Sequence, residues 1–231
     1  MALILLIDTA LENASIVLAD TQHILAEEKN SEQKNHAAFV QTAIESISAK
    51  TQTSLKDIDA VAVSAGPGSY TGLRVGMASA KGLCFALNKP LILLNTLKIM
   101  AKSTALQLNK QDALYAPMID ARRMEVFAAL YDFSLNEIEK TSAFILTEQN
   151  FSETFLNHEK EIIFFGNGMD KWKAIAPQGN FSFPENIAID ANAINALAQQ
   201  SFEKKLFADL AYSEPVYAKS FYTTAKPGKT S

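Results

Sequence analysis

Cysteine is nearly absent from this chain of 231 residues; Cys84 is the only one. An internal disulfide is therefore excluded, and a reducing, cytoplasmic setting is the expectation. Arginine is almost as scarce. It occurs only at Arg74, Arg122 and Arg123, so lysine carries the general work of solubility. The three histidines, His23, His36 and His158, lie far apart in unlike contexts, and neither a metal site nor a cofactor is expected. No apolar run approaches the roughly 18 residues of a membrane span. The apolar opening "MALILLIDTA" lacks a basic flank and meets Asp8 at once, so it reads as a buried strand rather than a signal peptide. Positive charge is not in excess either: 21 Lys and Arg stand against 25 Asp and Glu, a formal net charge of −4. An unaided nucleic-acid binder is usually basic, so any role on RNA would need a partner.

What is present describes an α/β protein. "LILLID" and "ASIVLAD" read as strands across a short polar turn, and "HILAEEKN" as a third. From Ser31 to about Ala49, apolar residues recur at helical spacing. "IDAVAVSAG" is a buried strand ending in glycine, residues 70–87 a helix, "LILLN" a strand and "TLKIMAKSTALQL" a helix. The order then restarts. "ALYAPMID" ends in aspartate as "LILLID" does, "EVFAALYD" and "IEKTSAFIL" follow as strands, then helix "EQNFSETFLN", strand "EIIFFG" and helix "ANAINALAQQSFEKK". This duplication predicts two similar lobes, 1–110 and 111–231, with a cleft between them. The last helix, about 192–206, is free to fold back on the first lobe. The tail "AKSFYTTAKPGKTS" should fray. Asp8 and Asp120 should sit at equivalent strand ends facing the cleft. There they could hold Mg²⁺ or act as acid and base, or each could simply cap a turn.

The densest signal is "SAGPGSYTGLRVG", residues 64–76. A phosphate loop needs G-x-x-x-x-G-K-[ST]; here Gly68 to Gly72 is one residue short, and Arg74 is out of the lysine place. A dinucleotide loop needs G-x-G-x-x-G; Gly66 and Gly68 fit, but Thr71 stands where the third glycine belongs. A strand, glycine turn and helix can still hold an anion at the helix start, or can serve close packing alone. Gly72, Gly76, Ala80 and Cys84 recur every fourth residue, which puts four small side chains on one helix face. Glycine inside a helix costs up to about 1 kcal/mol relative to alanine, so such a stripe needs a reason, and close helix contact is one. Arg74, one turn into that helix, and Arg122, beside Asp120, suit bidentate contacts or plain ion pairs.

At this point "DIDAVAVSAGPGSYTGLRVGMASAKGLCFALNKPL" resembles the signature of the TsaB (YeaZ-like) family of bacterial tRNA threonylcarbamoyladenosine biosynthesis factors. The similarity extends to "ILLIDTALENASIVL", "MIDARRMEVFAALY", "FFGNG" and "EPVYAK", dense in the first half and in islands after it. It implies duplicated ribonuclease-H-like lobes of the actin/Hsp70/sugar-kinase (ASKHA) class. It also implies a non-catalytic scaffold that works with a catalytic paralogue, TsaD, and an ATPase, TsaE. Their complex transfers threonylcarbamoyl from its adenylate to N6 of adenosine 37 in tRNAs reading codons that begin with A, and TsaB proteins alone form homodimers.

The catalytic relative carries an H-H-x-x-x-H stretch after the equivalent of "PLILL". Here "NTLKIM" puts Thr96 and Met100 in the ligand places, and neither suits a divalent metal. The adenosine-side glycine pair is reduced to Gly166 and Gly168 in "GNGMDK", which reads equally well as a turn. Asp8, Asp120, Arg122, Gly166 and Gly168 then form at most a vestigial cleft, with no catalytic residue. The paired helices 31–49 and 70–87 become the expected partner interface, through Ala37, Val40, Ile44, Gly72, Gly76, Ala80 and Cys84, shared by a homodimer and a TsaD heterodimer. Two rivals stand beside this reading: an active small-molecule kinase of the same fold, and a peptidase using Cys84. Mid-helix placement of Cys84 and the absence of H-E-x-x-H weigh against the latter.

Overall fold

A computed structural model describes residues 2–31, 36–155, 157–185 and 187–217. The expected first turn of the helix after Ser31 falls on residues 32–35, outside the described residues, and the tail expected to fray, residues 218–231, also lies outside them. The first half runs β1 (Ile4–Asp8), β2 (Ala14–Ala19), β3 (Ile24–Asn30), α1 (His36–Thr51), β4 (Ala60–Gly66), α2 (Tyr70–Leu87), β5 (Leu91–Asn95) and α3 (Thr96–Leu108). The second runs β6 (Ala113–Asp120), β7 (Glu125–Tyr131), β8 (Glu137–Ile145), α4 (Glu148–Phe155), β9 (Glu161–Phe165), α5 (Met169–Lys173), β10 (Phe181–Ser182) and α6 (Ala191–Glu203).

The two sheets have one topology. The first is ordered β3-β2-β1-β4-β5 and the second, read in the same sense, β8-β7-β6-β9-β10. In each, the first three strands form an antiparallel meander, and the fourth and fifth add parallel to the first. The central strands explain their own sequences. β1 and β4 are buried along their whole length, so "ILLID" and "AVAVSAG" show none of the alternation of a half-wet strand. β3 is an edge strand, and its "AEEKN" is polar and exposed or half-exposed.

Helix ends follow local chemistry. The Ser69 hydroxyl accepts from Gly72 N at the start of α2, the Asn95 side chain from Lys98 N at α3, and Asp190 from Asn192 N at α6. Asn88 and Asn109 close α2 and α3 in the left-handed conformation.

Three apolar layers hold the sheets. α1 and α2 cover one face of the first sheet with Val40, Ile44, Ile47, Met77 and Cys84. The aromatic layer Phe155, Phe164 and Trp172 backs the second sheet under α4 and α5. Between the sheets lies a shared core of Leu6, Ile92, Met100, Tyr115, Ile163 and Ile194, to which α3 and α6 both contribute. α6 packs on β1, β3, β5 and α3, so the end of the chain returns to the first sheet. Each fully buried Leu, Ile or Phe contributes about 1.5–3 kcal/mol, and the shared core ties the lobes along the floor of the cleft between them. No described helix is long and apolar enough to cross a membrane.

Candidate functional site

The glycine block begins where β4 ends. Gly66 has φ +118°, and a Cβ there would lie 2.5 Å from the carbonyl oxygen of Val216. A Cβ on Gly68 would overlap the Ala10 carbonyl oxygen, one on Gly72 the Thr9 carbonyl oxygen, and one on Gly76 the Thr9 hydroxyl. The four glycines therefore serve a single purpose: they let α2 and its loop sit on the β1–β2 turn and on residue 216. Hydrogen bonds fix that approach. Ser69 N donates to Ala10 O (2.7 Å), and the Thr9 hydroxyl donates to Gly72 O (2.7 Å). The space beside Gly66, Gly68 and Gly72 is taken by the main-chain carbonyl oxygens of Val216, Ala10 and Thr9, so the block is filled by the chain itself.

This corrects the expected partner face. The stripe Gly72, Gly76, Ala80 and Cys84 points inward. Gly76 faces Thr9, Val63 and Ile7; Ala80 is 0% and Cys84 1% exposed. Val40 and Ile44 of α1 are buried in the same layer, and of the seven expected residues only Ala37 is exposed. Spacing put the small residues on one face of α2, and the sheet took that face. The Cys84 thiol lies among aliphatic side chains near Pro90 O (3.5 Å), and burial pushes its pKa up to about 11. A thiol of that kind is a poor nucleophile.

The segment after α6 supplies contacts that sequence reasoning missed. Ala208 N donates to Leu91 O and Val216 N to Ala65 O (2.7 Å). Lys81 Nζ reaches the carbonyls of Ala211 and Ser213. Arg74 Nε donates to the Tyr217 hydroxyl (3.0 Å) and lies over the Tyr70 ring at 3.9 Å. The segment thus runs along α2 from its C-terminal to its N-terminal end. Its signal was "EPVYAK", legible as a family-like island but not as a strap.

A cleft of about 520 Å³ opens between the lobes. Asp8, Ser15, Lys29, Met100, Gly166 and Asn167 line it, with Ile187 and Ile189 forming an apolar wall. Asp8 is 2% exposed. One carboxylate oxygen accepts from Ser64 Oγ (2.6 Å) and Ala10 N (3.1 Å), and burial holds its pKa above the usual carboxylate range. Asp120, expected opposite it, is not among the residues lining the cleft, and neither are Arg122 and Gly168. Lys171 of α5 takes the Asp120 carboxylate, and that hydrogen bond, with help from Arg122 N, pulls its pKa below the usual range. Lys171 escaped notice because α5 has five residues, too few for a period.

Gly166 (φ +97°) packs on Met118 O, while Gly168 abuts Val126 and the end of β6, so the second glycine pair also serves packing. Asn167 between them accepts from Asp120 N (2.9 Å). Thr96 and Met100 are both buried.

A family model described as "TsaD: tRNA N6-adenosine threonylcarbamoyltransferase" matches residues 23–226. The tRNA threonylcarbamoyladenosine biosynthesis protein TsaB of Escherichia coli (strain K12) is 30% identical over 232 aligned residues, covering 98% of this chain and 99% of its own length. The chain belongs to the TsaB family. YeaZ from Pseudomonas aeruginosa superposes with a TM-score of 0.81 at 21% identity, over 94% of this chain and all of that one. A ROK family protein from Streptococcus pneumoniae, crystallised with sucrose, superposes at 0.50 and 12% identity, over 88% of this chain and 99% of its own. Together with the repeated sheet order, these place the chain among the duplicated-lobe ASKHA folds that the TsaB family shares.

Proposed function

We propose that this chain is a non-catalytic scaffold in tRNA threonylcarbamoyladenosine formation, acting with TsaD and TsaE and forming a homodimer when alone. In that role it supports transfer of threonylcarbamoyl to N6 of adenosine 37 without performing it. One observation carries the reading: the glycine block, the chain's nearest approach to a phosphate-loop pattern, is packed against the chain's own carbonyl oxygens. A kinase reading has the cleft and Asp8 in its favour, but lacks a glycine loop open to phosphate. A peptidase reading needs Cys84 exposed and acidic, the reverse of its setting.

The partner face we assign is the outer side of α1 and α2. Ala37, Thr71, Ala78 and Gly82 are exposed there, and Phe85 is 82% exposed. A Cβ on Gly82 would meet nothing within 4 Å. An exposed helical glycine with open space above it, beside a bare phenylalanine, suits a close helix partner. Burying Phe85 alone would contribute about 2 kcal/mol. The test is to mix the chain with its cognate TsaD and measure complex mass by size exclusion, using wild type and Gly82→Leu. Because Gly82 has room, the variant should fold with unchanged circular dichroism. Its complex should weaken at least about tenfold, roughly 1.4 kcal/mol. A folded variant with undiminished TsaD and self-association would show that the interface lies elsewhere.

A further inference from the structure

Asp8 ends β1, is 2% exposed and lines the cleft of about 520 Å³ between the lobes. One of its oxygens is taken by Ser64 Oγ (2.6 Å) and Ala10 N (3.1 Å). The other accepts no hydrogen bond among the described residues. Burial is the largest influence on this carboxyl and raises its pKa, while the Coulombic pull of His36 is the smallest. His36 spends its Nε2 on Glu12 O (3.2 Å). Asp8 is thus a buried acid with half its acceptor capacity open to a cavity and little opposing charge of its own. Buried carboxylates are ordinarily paired, and an unpaired one carries a cost that a bound cation removes.

The other walls say what kind of cation fits. Leu11, Met100, Phe165, Ile187 and Ile189 line the cleft with apolar surface, and its volume is that of a small-molecule site. Lys29 also lines it, but pairs with Glu27 (3.0 Å). Glu12, an exposed residue of the lining, adds a second carboxylate. No arginine is among the lining residues, so a phosphate would find no guanidinium fork. A bare divalent ion is equally ill served: it needs six or more oxygens, and no group of three or more His, Cys, Asp or Glu stands together among the described residues.

We infer that the cleft binds a small organic ammonium, whose N–H groups donate to the open oxygen of Asp8 and whose aliphatic or aromatic body lies on the apolar wall. A charge-assisted hydrogen bond supplies orientation, and the wall supplies burial. Asp8 belongs to the first sheet and Phe165 to the second, so the ligand bridges the lobes. The site uses none of the outer face of α1 and α2 and stands apart from the scaffold role.

The experiment titrates 2-phenylethylamine hydrochloride into the purified chain at neutral pH, followed by protein-observed NMR. Phenylacetate and 2-phenylethanol serve as anionic and neutral probes of similar shape. The amine should bind with a Kd of about 1 mM or tighter, and the other two at least about tenfold more weakly. The shifts should centre on the methyl groups of Met100, Ile187 and Ile189. Asp8→Asn keeps an oxygen for Ser64 and Ala10, so it should fold, and its affinity for the amine should fall at least about tenfold. No saturable shift with the amine up to about 10 mM overturns the inference, as do shifts centred outside the cleft. Equal or tighter binding of phenylacetate or 2-phenylethanol overturns it by making Asp8 a proton donor, and undiminished amine binding by folded Asp8→Asn overturns it by removing Asp8 from the site.

Discussion

The two lobes share one topology and treat equivalent positions in opposite ways. Asp8 ends β1 and Asp120 ends β6. Asp8 is buried, bonded to a serine and a main-chain amide, and its pKa is raised by burial. Asp120 is exposed, bound by a lysine, and its pKa is lowered. The turn after Asp8 is pressed under α2 at three glycines, and the turn after Asp120 faces solvent with two arginines. The first lobe turns this loop inward, packed and hydrogen-bonded against α2. The second has left the equivalent loop facing solvent. A fold built twice thus conserves strand order while its turns diverge, because sheet register is set by cores and turns are set by what they touch.

The largest effect that could break this contrast comes from the glycines. Gly72→Ala puts a Cβ into the Thr9 carbonyl oxygen, where only main chain can move. It should destabilise the chain by about 3 kcal/mol, read as a fall in the urea midpoint. Gly168→Ala in the second lobe meets Val126 Cγ1 at 2.9 Å and the main chain of Ile119 at 3.0 Å, looser than the Gly72 contact, and should cost about half as much. Equal losses at the two sites would remove the claimed asymmetry.

The aspartates should differ in sign. The folded pKa of Asp8 is raised, so its ionisation weakens the fold; that penalty is absent below the unfolded value near 3.9 and grows as pH rises through the folded one. Asp8→Asn should therefore be more stable than wild type at pH 7, by about 1 kcal/mol, with the gain vanishing near pH 3. The folded pKa of Asp120 is depressed. Its contribution is present above the unfolded value and is lost as pH falls through the folded one. Asp120→Asn should cost about 0.5 kcal/mol or less at pH 7, since the ion pair is exposed. Urea titrations at several pH values would check both, and a loss of stability at pH 7 in Asp8→Asn would mean that its carboxylate is held by more than burial.

Much of this was legible in the chain itself. Long apolar runs ending in Asp8 and Asp120, each opening three strands, announced the duplication. Two elements of the second lobe went unread because α5 and β10 are five and two residues long. The glycine stripe was read correctly as a face but assigned to a partner. Helical spacing fixes which residues share a face and says nothing about which way it turns, and a sheet asks for small residues as much as a helix does. Val216 over Gly66 and Lys171 on Asp120 are contacts between distant parts of the chain, and no local pattern encodes them. Arg122 and Arg123 were visible as residues. Their left-handed backbones and their freedom from the cleft were not.

Central to the account is that the glycine loop of the first lobe is filled by the chain's own oxygens rather than by phosphate. Calorimetric titration of Mg-ATP into the purified chain alone tests this most directly. No binding heat should appear up to about millimolar nucleotide, the weakest Kd range at which a built site would still register. Sub-micromolar binding accompanied by turnover would contradict the account and restore the kinase reading.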